Sequence, residues 1–255
     1  MILLDDKQVE ALEARRLAEE QLQQEPPPAY ASLHASSATT LVPPAKPTNF
    51  VSITKVHANI KEAITIDPSL YIPNFLLPPL ALGEEEQDRK NVRLEATHGY
   101  VYGKMKLLPY AETEPPQRRR RVRLELITVH GGVSAKIVET ASRPAFHLRI
   151  YCTNGNVQVH LPRSFHGPIT LCVRHGSAKF SDDLSMKLTT FGEVNGKRSC
   201  FIGDFSSRVN GREGWQGDEV VVEVKNGGVK LQYEDDVVGT AIRPQPGFLN
   251  KVFGF

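Results

Sequence analysis

The sequence predicts an all-β domain of stacked strand–turn–strand units, and three observations carry that prediction. Five pairs, His98-Gly99, His130-Gly131, Asn154-Gly155, His175-Gly176 and Asn226-Gly227, each sit between short runs of alternating apolar residues. Alternation at period two marks half-buried strands. When the five copies are aligned on their glycines, the columns agree. Seven residues before stand Val92, Leu124, Leu148, Ile169 and Val220; five before stand Leu94, Leu126, Ile150, Leu171 and Val222. Two residues after stand Val101, Val133, Val157, Ala178 and Val229, whereas the next column holds Tyr102, Ser134, Gln158, Lys179 and Lys230.

The buried parity changes across each glycine, from odd positions before it to even positions after it. A two-residue hairpin requires this, because cross-strand partners share a face. Asn-Gly is a strong hairpin signal, since a type I′ turn needs positive φ at both central residues. Histidine is also enriched at positive φ. On this reading His98, His130, Asn154, His175 and Asn226 are turn residues. The same letters fit a β-solenoid, in which strands before and after a corner both point inward. The two architectures open to this sequence are therefore a β-solenoid-like stack and a two-sheet β-sandwich.

The elements follow in order. Residues 1–25 are rich in Glu, Gln, Ala, Leu and Arg and predict a short exposed helix. Residues 26–48, with Pro26, Pro27, Pro28, Pro43, Pro44 and Pro47, predict a disordered linker. The β-repeat domain spans 49–236. It opens on a degenerate copy around His57-Ala58-Asn59, in which Ala58 takes the glycine place and Lys55 and Glu62 interrupt the apolar columns. Variation falls in the connections 108–121, 138–145, 162–168 and 182–219. The last is long enough for extra strands: Asn195-Gly196 and Asn210-Gly211 read as turns, and Cys200-Phe201-Ile202 as a strand. Residues 237–255 form a tail.

Composition narrows the function classes. With 31 basic and 29 acidic residues, no global field points to nucleic acid or a membrane surface. Three cysteines, Cys152, Cys172 and Cys200, predict reduced structural thiols rather than a disulfide framework. No stretch has the ~20 apolar residues of a membrane span, and the N-terminus lacks signal-peptide character. The expectation is a cytoplasmic protein, with the basic run Arg118–Arg121 as a nuclear address the alternative.

Five phrases carry a resemblance. They are Thr97-His98-Gly99; Thr153-Asn154-Gly155-Asn156-Val157; Leu161-Pro162 through Phe165-His166-Gly167-Pro168-Ile169; Trp215-Gln216-Gly217-Asp218-Glu219; and Asn226-Gly227-Gly228-Val229 to Tyr233-Glu234-Asp235. Together they resemble a family of fungal domains of unknown function over about residues 49–236. The strand pattern is also similar to bacterial adhesin-type domains, which implies a β-solenoid-like fold. Neither resemblance supplies a catalytic constellation.

Candidate chemistry is sparse. Pro27, Pro28 and Tyr30 complete a Pro-Pro-x-Tyr motif of the kind a WW-domain groove accepts as polyproline II. If the copies stack in register, His98, His130 and His175 would line one edge, where imidazoles suit zinc or copper; asparagines in two copies would interrupt that ladder. Solvated turn histidines are the simpler reading, and no metal or other cofactor is expected. Arg118 to Arg121 with Arg123 can bind phosphates. Glu84, Glu85, Glu86 and Asp88 are candidates to neutralise them, and no interleaved aromatics suggest base stacking.

No Gly-x-Ser-x-Gly elbow, phosphate loop or His-Glu-x-x-His is present. The expected function is a non-catalytic interaction scaffold with protein partners, including a WW-domain protein, and without nucleic acid. Its oligomeric state is left open. The alternative is a carbohydrate- or ligand-binding, or hydrolytic, β-solenoid, with Asp182, Asp183, Asp204 and Asp218 converging on one groove.

Overall fold

The computed structural model describes residues 46–80, 83–115, 119–204 and 215–236. The expected helix, the Pro-Pro-x-Tyr motif, Arg118, Asn210-Gly211 and the C-terminal tail lie outside the described residues. Among the described residues fourteen strands form two sheets. The strands are β1 Val51–Lys55, β2 Ile60–Ile66, β3 Val92–His98, β4 Val101–Leu107, β5 Val122–His130, β6 Val133–Val138 and β7 Phe146–Asn154. They continue as β8 Val157–Leu161, β9 Gly167–His175, β10 Ala178–Phe180, β11 Leu188–Val194, β12 Lys197–Ile202, β13 Glu219–Asn226 and β14 Val229–Tyr233.

The first sheet runs β1-β3-β5-β7-β13-β9-β12-β11 and the second runs β10-β14-β8-β6-β4-β2. Each unit places one strand in each sheet, and neighbouring units pair in parallel, as coils of a solenoid. The registers reproduce the sequence columns. Val92 pairs with Leu124, Leu124 with Leu148, Leu148 with Val220, and Val220 with Ile169. In the second sheet Val101 meets Val133, then Val157, Val229 and Ala178. The degenerate unit joins at the same register, Ile53 on Leu94 and Ile60 on Val101.

Burial explains why the columns are apolar. Val92, Leu124, Leu148, Val220 and Ile169 are essentially inaccessible and share one core with Val101, Val133, Val157 and Val229. Truncating one such leucine costs roughly 2–5 kcal/mol. Just ahead of β1, Thr48 makes an isolated parallel bridge to Ile66.

Two features depart from the simplest reading. The His-Gly and Asn-Gly pairs are solenoid corners and not hairpin loops. His98, His130, Asn154, His175 and Asn226 are each the last residue of a strand. Outside glycine, positive φ occurs among the described residues only at Phe50, Ser142 and Asn195. The glycine alone makes the corner, and a second constraint adds to its dihedral. A Cβ on Gly155 would lie 1.9 Å from the Gly131 carbonyl oxygen, and one on Gly227 1.9 Å from that of Gly155. The corners stack backbone on backbone, so a corner seated on the carbonyl of a neighbouring coil admits only glycine, whereas the end coil carries Ala58. Among the described residues hairpin chemistry appears once, at Asn195 (φ 52°) and Gly196 (φ 75°), which join antiparallel β11 and β12.

The second departure is coil order. The last unit in sequence, β13–β14, lies between the units β7–β8 and β9–β10. The chain passes through β9, closes that end of the first sheet with β12 and β11, and returns to fill the gap.

Candidate functional site

Three places in the described structure gather polar chemistry: the corner column, the seam where β13 enters, and the outer face near the arginine run. The corner column contains His98, His130, Asn154, His175 and Asn226. His57 and His98 stack with ring centroids 5.0 Å apart, and His98 and His130 at 4.9 Å, within 8° of parallel. Asn154 continues the column, its Nδ2 lying 3.2 Å from His130 Nδ1. Asn226 Nδ2 donates to Asn154 Oδ1 at 2.8 Å, and Asn226 pairs with His175 in register.

The structure therefore brings His98 and His130 together, adds His57, and separates all three from His175 by two asparagines. Stacked rings present faces to one another, whereas a shared metal needs nitrogens that converge. No group of three or more His, Cys, Asp or Glu among the described residues has a metal-holding arrangement. A stacked pair is worth about 0.5–1.5 kcal/mol, so the column trims a corner that the apolar core already holds.

At the seam, Asp218 immediately precedes β13. Its carboxylate accepts two hydrogen bonds from Arg143, at 2.8 and 2.7 Å, with both side chains only 6% exposed. The same carboxylate accepts the backbone N–H of Phe146, which opens β7, and of His166, which precedes β9, both at 3.2 Å. One side chain thus ties the intercalated strand to both flanking strands. Trp215 Nε1 donates to the Asp218 carbonyl at 2.7 Å, and its ring packs edge-on against Phe201. A Cβ on Gly167 would meet that same Asp218 carbonyl at 1.9 Å. The phrases Phe165-His166-Gly167 and Trp215-Gln216-Gly217-Asp218 therefore converge on one structural latch.

Of the carboxylates expected in a hydrolytic groove, Asp183 and Asp218 are held by separate arginines. Asp183 pairs with Arg163 at 2.8 Å, alongside Asp235 and Asp236. Asp182 begins a short helical turn, Asp182–Ser185. Asp218 is engaged by Arg143, and the Asp204 carbonyl accepts from His166 Nε2. A cavity of about 640 Å³ beside the latch is lined by Glu139, Ser142, Arg143, Ser164, His166 and Asp218. Within it Ser164 Oγ donates to Glu139 at 2.7 Å.

The arginine run is partly neutralised as expected. Arg123 pairs with Asp88 at 2.7 Å, which holds the Asp88 carboxyl below its usual range. Arg121 pairs with Glu219 at 2.7 Å. Glu84 and Glu86 instead serve Lys90 and Arg89. The sequence showed the basic run but not its neighbours Lys90, His147 and Arg149, since only the coil register places them beside it. The three cysteines are free thiols, with Cys152 and Cys200 buried and Cys172 half-buried.

Among the described residues no helix is long and apolar enough to cross a membrane. No curated protein and no solved structure matches the chain. The family described as Domain of unknown function (DUF7330) matches residues 49–236, the extent of the coil stack, and the chain belongs to that family.

Proposed function

We propose that the chain is a non-catalytic interaction scaffold whose docking element is the open first coil. The observation that carries this reading is the position of β1. Among the described residues it pairs with β3 on one side and ends its sheet on the other. Val51 N–H donates to Asn91 across the ladder, so the alternate residues Ser52 and Thr54 direct their backbone groups outward. Such an edge accepts an extended partner strand by main-chain hydrogen bonding. The opposite end of the first sheet carries the β11–β12 hairpin. Apolar side chains stand exposed in the connection that leaves β2: Tyr71 is 79% and Phe75 85% accessible.

The N-terminal arm adds a second recognition element through Pro27, Pro28 and Tyr30, which suit a WW domain. Affinity purification of the full chain, of a chain lacking residues 1–45 and of Thr54→Pro separates the two. Proline at position 54 removes an outward N–H without touching the ladder to β3. Partners lost only in Thr54→Pro assign recognition to the edge, and partners lost only on deletion assign it to the arm. Partners unaffected by both changes overturn the reading. A peptide of residues 22–36 titrated with a WW domain tests the motif, and equal binding by its Tyr30→Ala form removes it.

A further inference from the structure

We infer that the outer face of the first sheet carries a binding site for a phosphoryl group, centred on Arg149 and His147. A cavity of about 240 Å³ opens there, lined by Asp88, Lys90, Arg121, Arg123, Leu124, His147 and Arg149. The lining comes from two neighbouring coils, at β5 and β7, and from the loop before β3. In the hydrogen-bonding register Glu125 pairs with Arg149 and Arg123 with His147, so the strands themselves set these side chains side by side.

Charge accounting singles out Arg149. Lys90 is matched by Glu84, Arg121 by Glu219 and Arg123 by Asp88. Glu125, the neighbour of Arg149 in the next coil, is engaged by Arg93 at 3.4 Å. Arg149 is left without a carboxylate within ion-pair distance among the described residues. Its Nε is fully buried and lacks a hydrogen-bond partner, and His147 Nε2 shares that condition. Glu219 lies 4.0 Å from His147 Nε2, beyond hydrogen-bonding reach. A buried polar nitrogen without a partner is costly, so two of them in one cationic cavity call for a ligand that supplies one.

The acceptor must be anionic and must present oxygens in several directions. Arg149, His147 in its Nε2–H tautomer, Lys90 and the Arg121–Arg123 pair approach from different elements. A tetrahedral phosphoryl group with three terminal oxygens suits that spread better than a planar carboxylate. A second cavity, of about 510 Å³, continues from the first through Asp88, Arg121 and Arg123, and adds Arg119, Arg120, Gln87 and Gln216. The continuation makes room for a second phosphoryl group. Asp88 is 44% exposed and Glu219 29%, and solvent screens ion pairs of that exposure. An incoming phosphoryl group therefore shares or displaces them at low cost.

The test is calorimetric titration of the full chain with inorganic pyrophosphate at low ionic strength. In parallel, binding is measured to phosphatidylcholine vesicles with and without phosphatidylinositol bisphosphate. The expected result is saturable binding to one of these probes, weakened at least about tenfold in Arg149→Gln and in Arg121→Gln. Lys104→Gln, on β4 of the other sheet, should bind as the unaltered chain does. Binding to pyrophosphate identifies a soluble ligand, and binding only to the doped vesicles identifies a lipid headgroup. Thermal denaturation verifies that each variant is folded, and Arg121→Gln carries the test if Arg149→Gln is not. No saturable binding to either probe, or unweakened binding by the folded variants, overturns the inference.

Discussion

Arg143 and Asp218 form a two-pronged ion pair, at 2.7 and 2.8 Å, that closes the seam where the last coil enters the middle of the stack. The pair is buried, and the carboxylate also receives the N–H groups of Phe146 and His166. Breaking one partner of such a pair strands the other charge, at about 3–5 kcal/mol. Asp218→Asn and Arg143→Met are each expected to lose stability on that scale in urea denaturation. The double variant should lose less than the two singles added, because the second change removes a charge already stranded. Additive losses would show that the two groups act separately.

The glycine corners make a contrast that chain propensity alone does not. Gly155→Ala would force a Cβ into the Gly131 carbonyl, and the residue holds φ at 153°. The expected outcome is failure to fold or a loss above roughly 3 kcal/mol. Gly192→Ala, in β11, meets nothing within 4 Å and should stay within about 0.5 kcal/mol of the parent. Thermal denaturation of the two variants checks both.

Acid should weaken the fold partly through His147. Burial is the main cause holding its pKa down to about 4, with Arg121, Arg149 and Arg123 acting the same way and Glu219 opposing them. The unfolded chain carries the ordinary value near 6.5, so between about pH 6.5 and 4 the unfolded state binds the extra proton. Stability from this group is full above pH 6.5 and declines as pH falls through that window. His160, also lowered by burial and by Lys136 and Lys230, adds to the same slope. Replacement of His147 by Asn should flatten the pH dependence of the urea midpoint; an unchanged slope would assign it elsewhere.

Thiol labelling should distinguish the cysteines. Burial pushes the Cys152 thiol up to about 11, and its Sγ reaches the carbonyls of Gly131 and Gly155 at 3.5 and 3.4 Å. Thr128 occupies the same register position one coil earlier and donates to Gly99 at 3.0 Å. At pH 8 iodoacetamide should modify half-buried Cys172 first and leave Cys152 unmodified until the chain unfolds. Early modification of Cys152, read by peptide mass spectrometry, would contradict its placement.

The strand columns were legible in the sequence because side-chain direction alternates with a fixed period, and a buried interior admits only apolar residues. Val92, Leu124, Leu148, Ile169 and Val220 lie in one hydrogen-bonded row of the first sheet. The glycine at each corner was equally legible, though for a different reason than turn chemistry suggested. Asn154 and His130 remain extended, and the glycine is required by the carbonyl of the coil beneath it. The candidate phosphoryl site was half legible: the arginine run stands out in one dimension, whereas His147 and Arg149 join it only through pairing between coils.

By itself, then, the sequence determined the repeat, its register and its inward face, since these follow from local geometry. The order of the coils was decided only in three dimensions. All the units carry nearly the same columns, so any two could pair, and the repeat contains no address. The address lies in the irregular connections: Asp218, Arg143, Trp215 and Gly167 meet at one seam and admit the last coil between β7 and β9. The partners of that latch are up to 75 residues apart, and only the folded chain brings them together.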